Sequence, residues 1–181
     1  MSVVIRGSDN LDTNNGAKST RCIQIINKLI STQSLTTTIG QYTDKRIAAD
    51  YFLDIVPKGR NSRFKIQLRW TGEIRDRADT MFNIHRNGAR INNGAEVEGN
   101  GFGLGAATGT YTQADKSSTP EYAYILAFDE GFESEPGVPI HYEMMFSSYT
   151  AYDVRNNRCF TAVGSAYEIG VSEIIITEYS N

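Results

Sequence analysis

Proton transfer and metal binding need imidazoles, thiols or carboxylates brought together, and this sequence is sparing with the first two: His85, His141, Cys22 and Cys159 are all it has. Neither histidine has a Cys, His or carboxylate at metal-ligand spacing, so both read as surface or rim residues. No G-x-S-x-G elbow occurs. Asp129, Glu130, Glu133 and Glu135 offer paired carboxylates. Glycosidase pairs, however, are set by distance in the fold and not by adjacency, so a charged surface loop is expected there. Asp9, Asp12 and Asn14 carry oxygens suited to calcium but lack the loop pattern of such a site. The Gly-rich run EGNGFGLGAATGT (98–110) has no Lys-Ser/Thr and follows a hairpin instead of opening a helix, which argues against a phosphate loop. The two cysteines are too few for a disulfide framework; they read as small hydrophobes or as a bridge between the first and a late strand. No catalytic residue, cofactor or metal site is assigned, and no enzyme is expected.

The elements that would carry any site are strands. In SRFKIQLRWTGEIR (62–75), Phe64, Ile66, Leu68 and Trp70 alternate with Lys65, Gln67, Arg69 and Thr71. That is the period of a strand with one dry and one wet face; a helix would scatter both sets. The chain's only Trp lies here, which places this strand in the middle of a core, and Gly72 is where a bulge or bend could lead towards the next sheet. Further strands are expected in CIQIINKLIST, with Ile23, Ile25 and Leu29 on alternating sites, in the edge-like SLTTTIG, and in DYFLDIV before the Pro57-Lys58-Gly59 turn. TMFNIHR pairs through Asn87-Gly88 with Ala89 to Val97. EYAYILAF, IHYEMMF, RCFTAV (158–163) and GVSEIIITEY complete the set, with AYDVRNN separating two of them. Turn signals every ten residues or so describe an all-β, jelly-roll-like β-sandwich of about eight to ten strands. The tyrosines are able to stack on sugars, but half of them fall in strand alternation and suit a core or an interface.

A chain of 181 residues fills one core, so residues 21–181 read as a single domain. Its net charge of -3 comes without a basic stripe, which argues against nucleic-acid binding. No apolar run approaches the ~20 residues of a membrane span, and MSVVIRGSDN lacks the apolar region of a signal peptide. Folding in a cytoplasm without membrane insertion is the expectation. Residues 1–20 read as an N-terminal arm: an apolar tip, Val3, Val4 and Ile5, on a polar, turn-rich tether. The arm either folds back on its own domain or anchors on a partner through that tip.

SRFKIQLRWTGEI, the hairpin FNIHRNGARI and YAYILAFDEGFESEPGVPIHYEMMF with the closing IIITEYSN resemble β-rich virion domains of bacteriophages, especially marine and cyanobacterial phages. In the hairpin, Arg86, Asn87, Gly88 and Ile91 match that family's L-x-R-G-G-T-x-I form, whereas the Gly-rich region and the acidic loop Asp129 to Pro139 depart from it. The resemblance implies a jelly-roll-like, usually trimeric domain with a structural or host-recognition role. The expected function is a virion structural protein: a capsid decoration, head fibre or tail knob, assembled in the host cytoplasm and located on the virion. Its expected partners are two further copies in a homotrimer, other capsid or tail proteins reached through the arm, and glycans of the host surface. The alternative is a carbohydrate-binding receptor-recognition module of a tail fibre. The ~20 residues before the first strand suit a short decoration or adaptor-borne knob better than a complete fibre with its own shaft. The outward face of Glu121 to Phe128 is the expected trimer contact.

Overall fold

The computed structural model describes residues 21–41, 43–74, 80–91, 107–108, 120–160 and 169–180. The arm with Val3, Val4 and Ile5, the Asp9/Asp12/Asn14 group, most of the Gly-rich run and the stretch after Phe160 lie outside these residues.

Alternation in the 62–75 segment becomes the longest of twelve described strands. In chain order these are β1 (Cys22–Ile30), β2 (Ser34–Thr37), β3 (Lys45–Arg46), β4 (Phe52–Ile55), β5 (Arg63–Ile74), β6 (Thr80–Arg86), β7 (Ala89–Arg90), β8 (Ala107–Thr108), β9 (Glu121–Asp129), β10 (Ile140–Ser148), β11 (Asp153–Asn156) and β12 (Ser172–Tyr179). The first sheet runs β1-β12-β5-β9, all antiparallel, with Ile66 of β5 facing Ile176 on one side and Ala127 on the other. Past Arg69 the β12 edge of β5 is taken over by β11, where Asn156 lies opposite Gly72, and β2 pairs with β11. In the second sheet β10 has β3 and β4 on one edge and β6 on the other, with β7 and β8 beside β6.

Numbered one to eight, the main strands β1, β4, β5, β6, β7, β9, β10 and β12 give sheet orders 1-8-3-6 and 2-7-4-5. This interleaving is the winding of a jelly roll. Among these eight strands the chain changes sheets at every step except the β6–β7 hairpin. That hairpin turns on Asn87 (φ 49°) and Gly88 (φ 84°), both positive as a tight two-residue turn of the right twist demands.

The sheets close on one core. Phe64 meets Tyr142 across the sandwich at 6.2 Å between ring centroids, and Trp70 meets Phe82 at 5.2 Å. Phe82, Ile84, Ile174 and Ile176 face inward as their alternation implies. Full burial of each such side chain contributes roughly 1.5–3 kcal/mol, an upper bound because denatured chains already hide some surface.

Three expectations are corrected. In β1 the alternating set Ile25 and Leu29 faces outward, and Ile26 and Ile30 take the core side. Hydropathy misleads here because two polar residues point inward at the sandwich edge. Gln24 donates to the Val56 carbonyl (2.7 Å), and Lys28 Nζ to the carbonyls of Asp50 (2.7 Å) and Phe52 (3.1 Å). The AYDVRNN stretch is not a separator: it contains β11, whereas Arg158, Cys159 and Phe160 form no strand, Arg158 making only an isolated bridge to Ile169. Nor does Gly72 turn β5 towards the second sheet, since the strand continues in its own sheet to Ile74. A Cβ at Gly72 would lie 2.1 Å from the Arg155 carbonyl oxygen and 2.3 Å from the Trp70 ring. The glycine is there for close approach.

The phase of β5 gives a direct test. Trp70 is 1% exposed while the Arg69 side chain is 55% exposed. Trp70→Ala should cost roughly 3–5 kcal/mol and Arg69→Ala at most about 0.5–1 kcal/mol by thermal melting. Equal losses would contradict the assigned faces.

Candidate functional site

Two outward sheet faces present side chains to solvent, and they differ in kind. On the second sheet, register brings both histidines to one face. His85 and Glu143 are directly opposite across β6 and β10, and His141 is opposite Asp54 across β10 and β4. His85 Nε2 lies 2.7 Å from Asp44 Oδ2, and His141 Nδ1 lies 2.5 Å from Asp54 Oδ1. Asp44 also accepts from Arg90 Nε (2.9 Å), Arg90 Nη2 (2.6 Å) and Asn83 Nδ2 (2.7 Å). Glu143 pairs with Arg46, and His141 packs on Phe52 at 5.1 Å.

Burial alone would push the Asp44 carboxyl up. Hydrogen bonds from His85 and Arg90, together with the Arg90 charge, outweigh it and hold the group below the usual carboxylate range. This arrangement fastens the segment before β3 to the β6–β7 hairpin. The groups around the Asp44 carboxylate are its donors. Among the described residues no three of His, Cys, Asp and Glu converge closely enough for a metal ion.

The carboxylates of the acidic loop separate. Glu130 and Glu133 are exposed, Glu130 pairs with Arg63 at 2.5 Å, and Glu135 pairs with Arg60 at 2.8 Å, as a surface loop implies. Asp129 departs from that expectation. It is the last residue of β9, its alternation points inward, and it is 4% exposed. Arg86 Nη1 donates to it at 2.6 Å and the Tyr142 hydroxyl at 2.7 Å, while the Arg86 guanidinium stacks on Phe132 at 3.8 Å. The loop is therefore tied down at its root by a paired, buried charge. Cys22 is half-buried and Cys159 buried, and no disulfide joins them.

Outward on the first sheet lies the other face. β9 alternates strictly, with Ala123, Ile125 and Ala127 inward and Tyr122, Tyr124, Leu126 and Phe128 outward. The outward four are 65%, 55%, 48% and 39% exposed, an unbroken apolar column. Register sets Thr71, Arg69, Gln67 and Lys65 of β5 beside them, one each, and Gln67 Nε2 donates to the Tyr124 hydroxyl. Arg69 in turn lies 4.0 Å from Glu173 of β12. This column is the most apolar exposed surface that any described strand presents, and the sequence pattern YAYILAF already marked it. The partners of the histidines were not visible in sequence, because they lie 41 and 87 residues away.

No protein-family model matches this sequence, and the search of curated proteins returned no match.

Two pH limits follow from the buried ionisable groups. Asp44 has a lowered pKa, so its contribution to stability is present above the ordinary carboxylate value and is lost as pH falls through the folded one. Asp44→Asn should lower stability at pH 7 by about 1–3 kcal/mol and flatten the acid limb of a melting-temperature profile. Burial raises the Tyr51 and Tyr142 hydroxyls, Tyr142 further through the Asp129 charge beside it. Their contribution is complete below pH 10 and falls away above it, so Tyr142→Phe should make the alkaline limb shallower in the same profile.

Proposed function

We propose that this protein is a structural component of a bacteriophage virion, a capsid decoration, head fibre or tail knob, held on the particle and aiding adhesion to the host surface. The observation that carries this reading is a jelly-roll sandwich whose one strongly apolar exposed column lies on a nine-residue strand paired only with β5 among the described residues. Such a domain is equipped to associate through its surface. The charged side chains of its other face are paired with one another. In this proposal the chain forms a homotrimer and acts without catalysis.

Attachment is assigned to Val3, Val4 and Ile5. An apolar tip on a polar tether can add as a strand to an exposed sheet edge, with main-chain hydrogen bonds for affinity and alternate side chains for specificity. Three arms acting together raise the effective concentration, so individually weak contacts hold. Deleting residues 1–20 should leave the melting of the sandwich unchanged while abolishing incorporation into particles, and Val4→Asp should do the same with one residue. A truncated chain that still incorporates would place attachment on the sandwich itself.

A carbohydrate-binding receptor-recognition role is favoured by a separate observation, the exposed rings of Tyr122 and Tyr124 beside Gln67 and Arg69. Aromatic faces flanked by hydrogen-bonding groups suit sugar rings. Binding to purified host-surface polysaccharide that Tyr122→Ala and Tyr124→Ala both abolish, with no change in oligomeric state, would favour this second reading.

A further inference from the structure

Residues 1–20 join the sandwich at a place that the fold braces from beneath. Arg21, the last residue before β1, is tied to the residue after β12: the Ser180 N–H donates to the Arg21 carbonyl (2.8 Å), and the Arg21 N–H to Ser180 Oγ (3.0 Å). Gln24 of β1 donates to Glu178 Oε2 (2.6 Å), and Glu178 Oε1 accepts from the Ser62 hydroxyl (2.7 Å). The Ser62 N–H donates in turn to Ser134 Oγ (2.8 Å), and the Asn61 N–H to the Ser134 carbonyl (2.9 Å). Glu178, Ser62 and Ser134 are all buried. A buried polar chain thus links the root of the arm to the β4–β5 loop (56–62) and the β9–β10 loop (130–139).

The same two loops turn apolar side chains outward. The Gly137 N–H donates to the Pro57 carbonyl (3.1 Å), which carries the pairing of Ile55 with Ile140 past the strand ends onto the segments of Val56 and Val138. These valines are 40% and 57% exposed, and Pro136 and Pro139 are exposed with them. Charge lies around them, on Lys58, on Glu133 and on the Arg60–Glu135 pair (2.8 Å). An apolar centre with a charged rim is the anatomy of a protein contact. Prolines and buried hydrogen bonds fix the surface in advance, so little ordering is left to be done on contact.

We propose that this end of the sandwich docks on the same body that takes the arm, a protein surface offering an apolar patch to Val56 and Val138 and charged groups to their rim. The place where the arm joins the sandwich decides this. Whatever holds Val3, Val4 and Ile5 lies at most about 55 Å from Arg21, even along a fully extended tether. Once the tip is bound, a contact at this end is intramolecular, and its effective concentration lets a small surface hold.

This inference rests on the attachment reading above, and the experiment separates their failures. Purified full chain is titrated onto particles that lack it, and the bound copies are counted. Val56→Asp combined with Val138→Asp should raise the concentration for half-saturation about tenfold or more, with melting temperature and oligomeric state unchanged. Lys58→Glu guards against a folding defect in that double variant: it should also weaken binding, more at low salt than at high. Ile39→Asp should bind like the parent, because Ile39 lies at the other end of the sandwich, where the Gln41 N–H meets the Tyr149 carbonyl just past β10 (2.7 Å). Full-chain binding that neither the double variant nor Lys58→Glu weakens overturns the docking surface alone. Parent-like binding after deletion of residues 1–20 overturns the attachment reading and this inference with it. A double variant that changes the oligomeric state marks a contact between copies of the chain, and the docking surface is equally overturned.

Discussion

The most demanding site in this fold is the junction at Trp70, Thr71 and Gly72, where the twelve-residue β5 exchanges one neighbour for another. Up to Arg69 its edge is covered by β12, and from Gly72 by β11. A backbone passing between two partners risks leaving buried polar groups unpaired, and each one costs about 1–3 kcal/mol. Side chains fill the gap. The Thr71 N–H donates to Ser172 Oγ (3.0 Å), and the Thr71 carbonyl accepts from the Asn157 N–H (2.8 Å). Ser172 Oγ also accepts from the Tyr51 hydroxyl (2.9 Å) and donates to Asn157 Oδ1 (2.6 Å).

Two consecutive asparagines complete the junction. Asn156 Oδ1 accepts from the Trp70 indole N–H at 2.9 Å, so the largest core side chain is buried without an orphaned donor. Asn157 adopts a positive φ of 59°, which asparagine tolerates better than most residues, and its amide donates to the carbonyls of Ile30 and Thr32. From the end of β11 this pair reaches β5 through Trp70, β12 through Ser172 and the end of β1 through Ile30. It is a small polar network inside an apolar core, where satisfied hydrogen bonds add specificity.

Buried carboxylates serve the loops as the asparagines serve the sheet. Glu178, fully buried, accepts from the backbone N–H groups of Lys58 and Gly59, from the Ser62 hydroxyl and from the Gln24 amide. Asp129 secures the root of the acidic loop and Asp44 the segment before β3. With loops held this way, the sandwich can present two stable outer faces, one of mutually paired charges and one with an apolar edge. An association surface of that kind needs a rigid support, because ordering it on contact would consume much of the gain.

Wherever one face of a strand is wholly apolar, local alternation was enough to assign it. The phases of β5, β6 and the Ile174/Ile176 part of β12 were legible this way, as were the Asn87-Gly88 turn and the all-β class. In β9 both faces are apolar, so the sequence could group Tyr122, Tyr124, Leu126 and Phe128 on one face, but burial of Ala123, Ile125 and Ala127 is what sets that face outward. Where buried positions are polar, alternation fails. β11 was read as a spacer because its inward Asn156 is hydrophilic, and it is hydrophilic because it must receive the Trp70 N–H from another strand. β1 was read in the wrong phase because Gln24 and Lys28 reach carbonyls across the sandwich edge. Asp129 was read as surface until Arg86 and Tyr142, 43 and 13 residues away, proved to enclose it. Local sequence thus determined most of the longer strands and several of their faces. Only the tertiary structure decided their neighbours and which polar groups are interior, because a buried polar residue is defined by a partner that chain distance does not reveal.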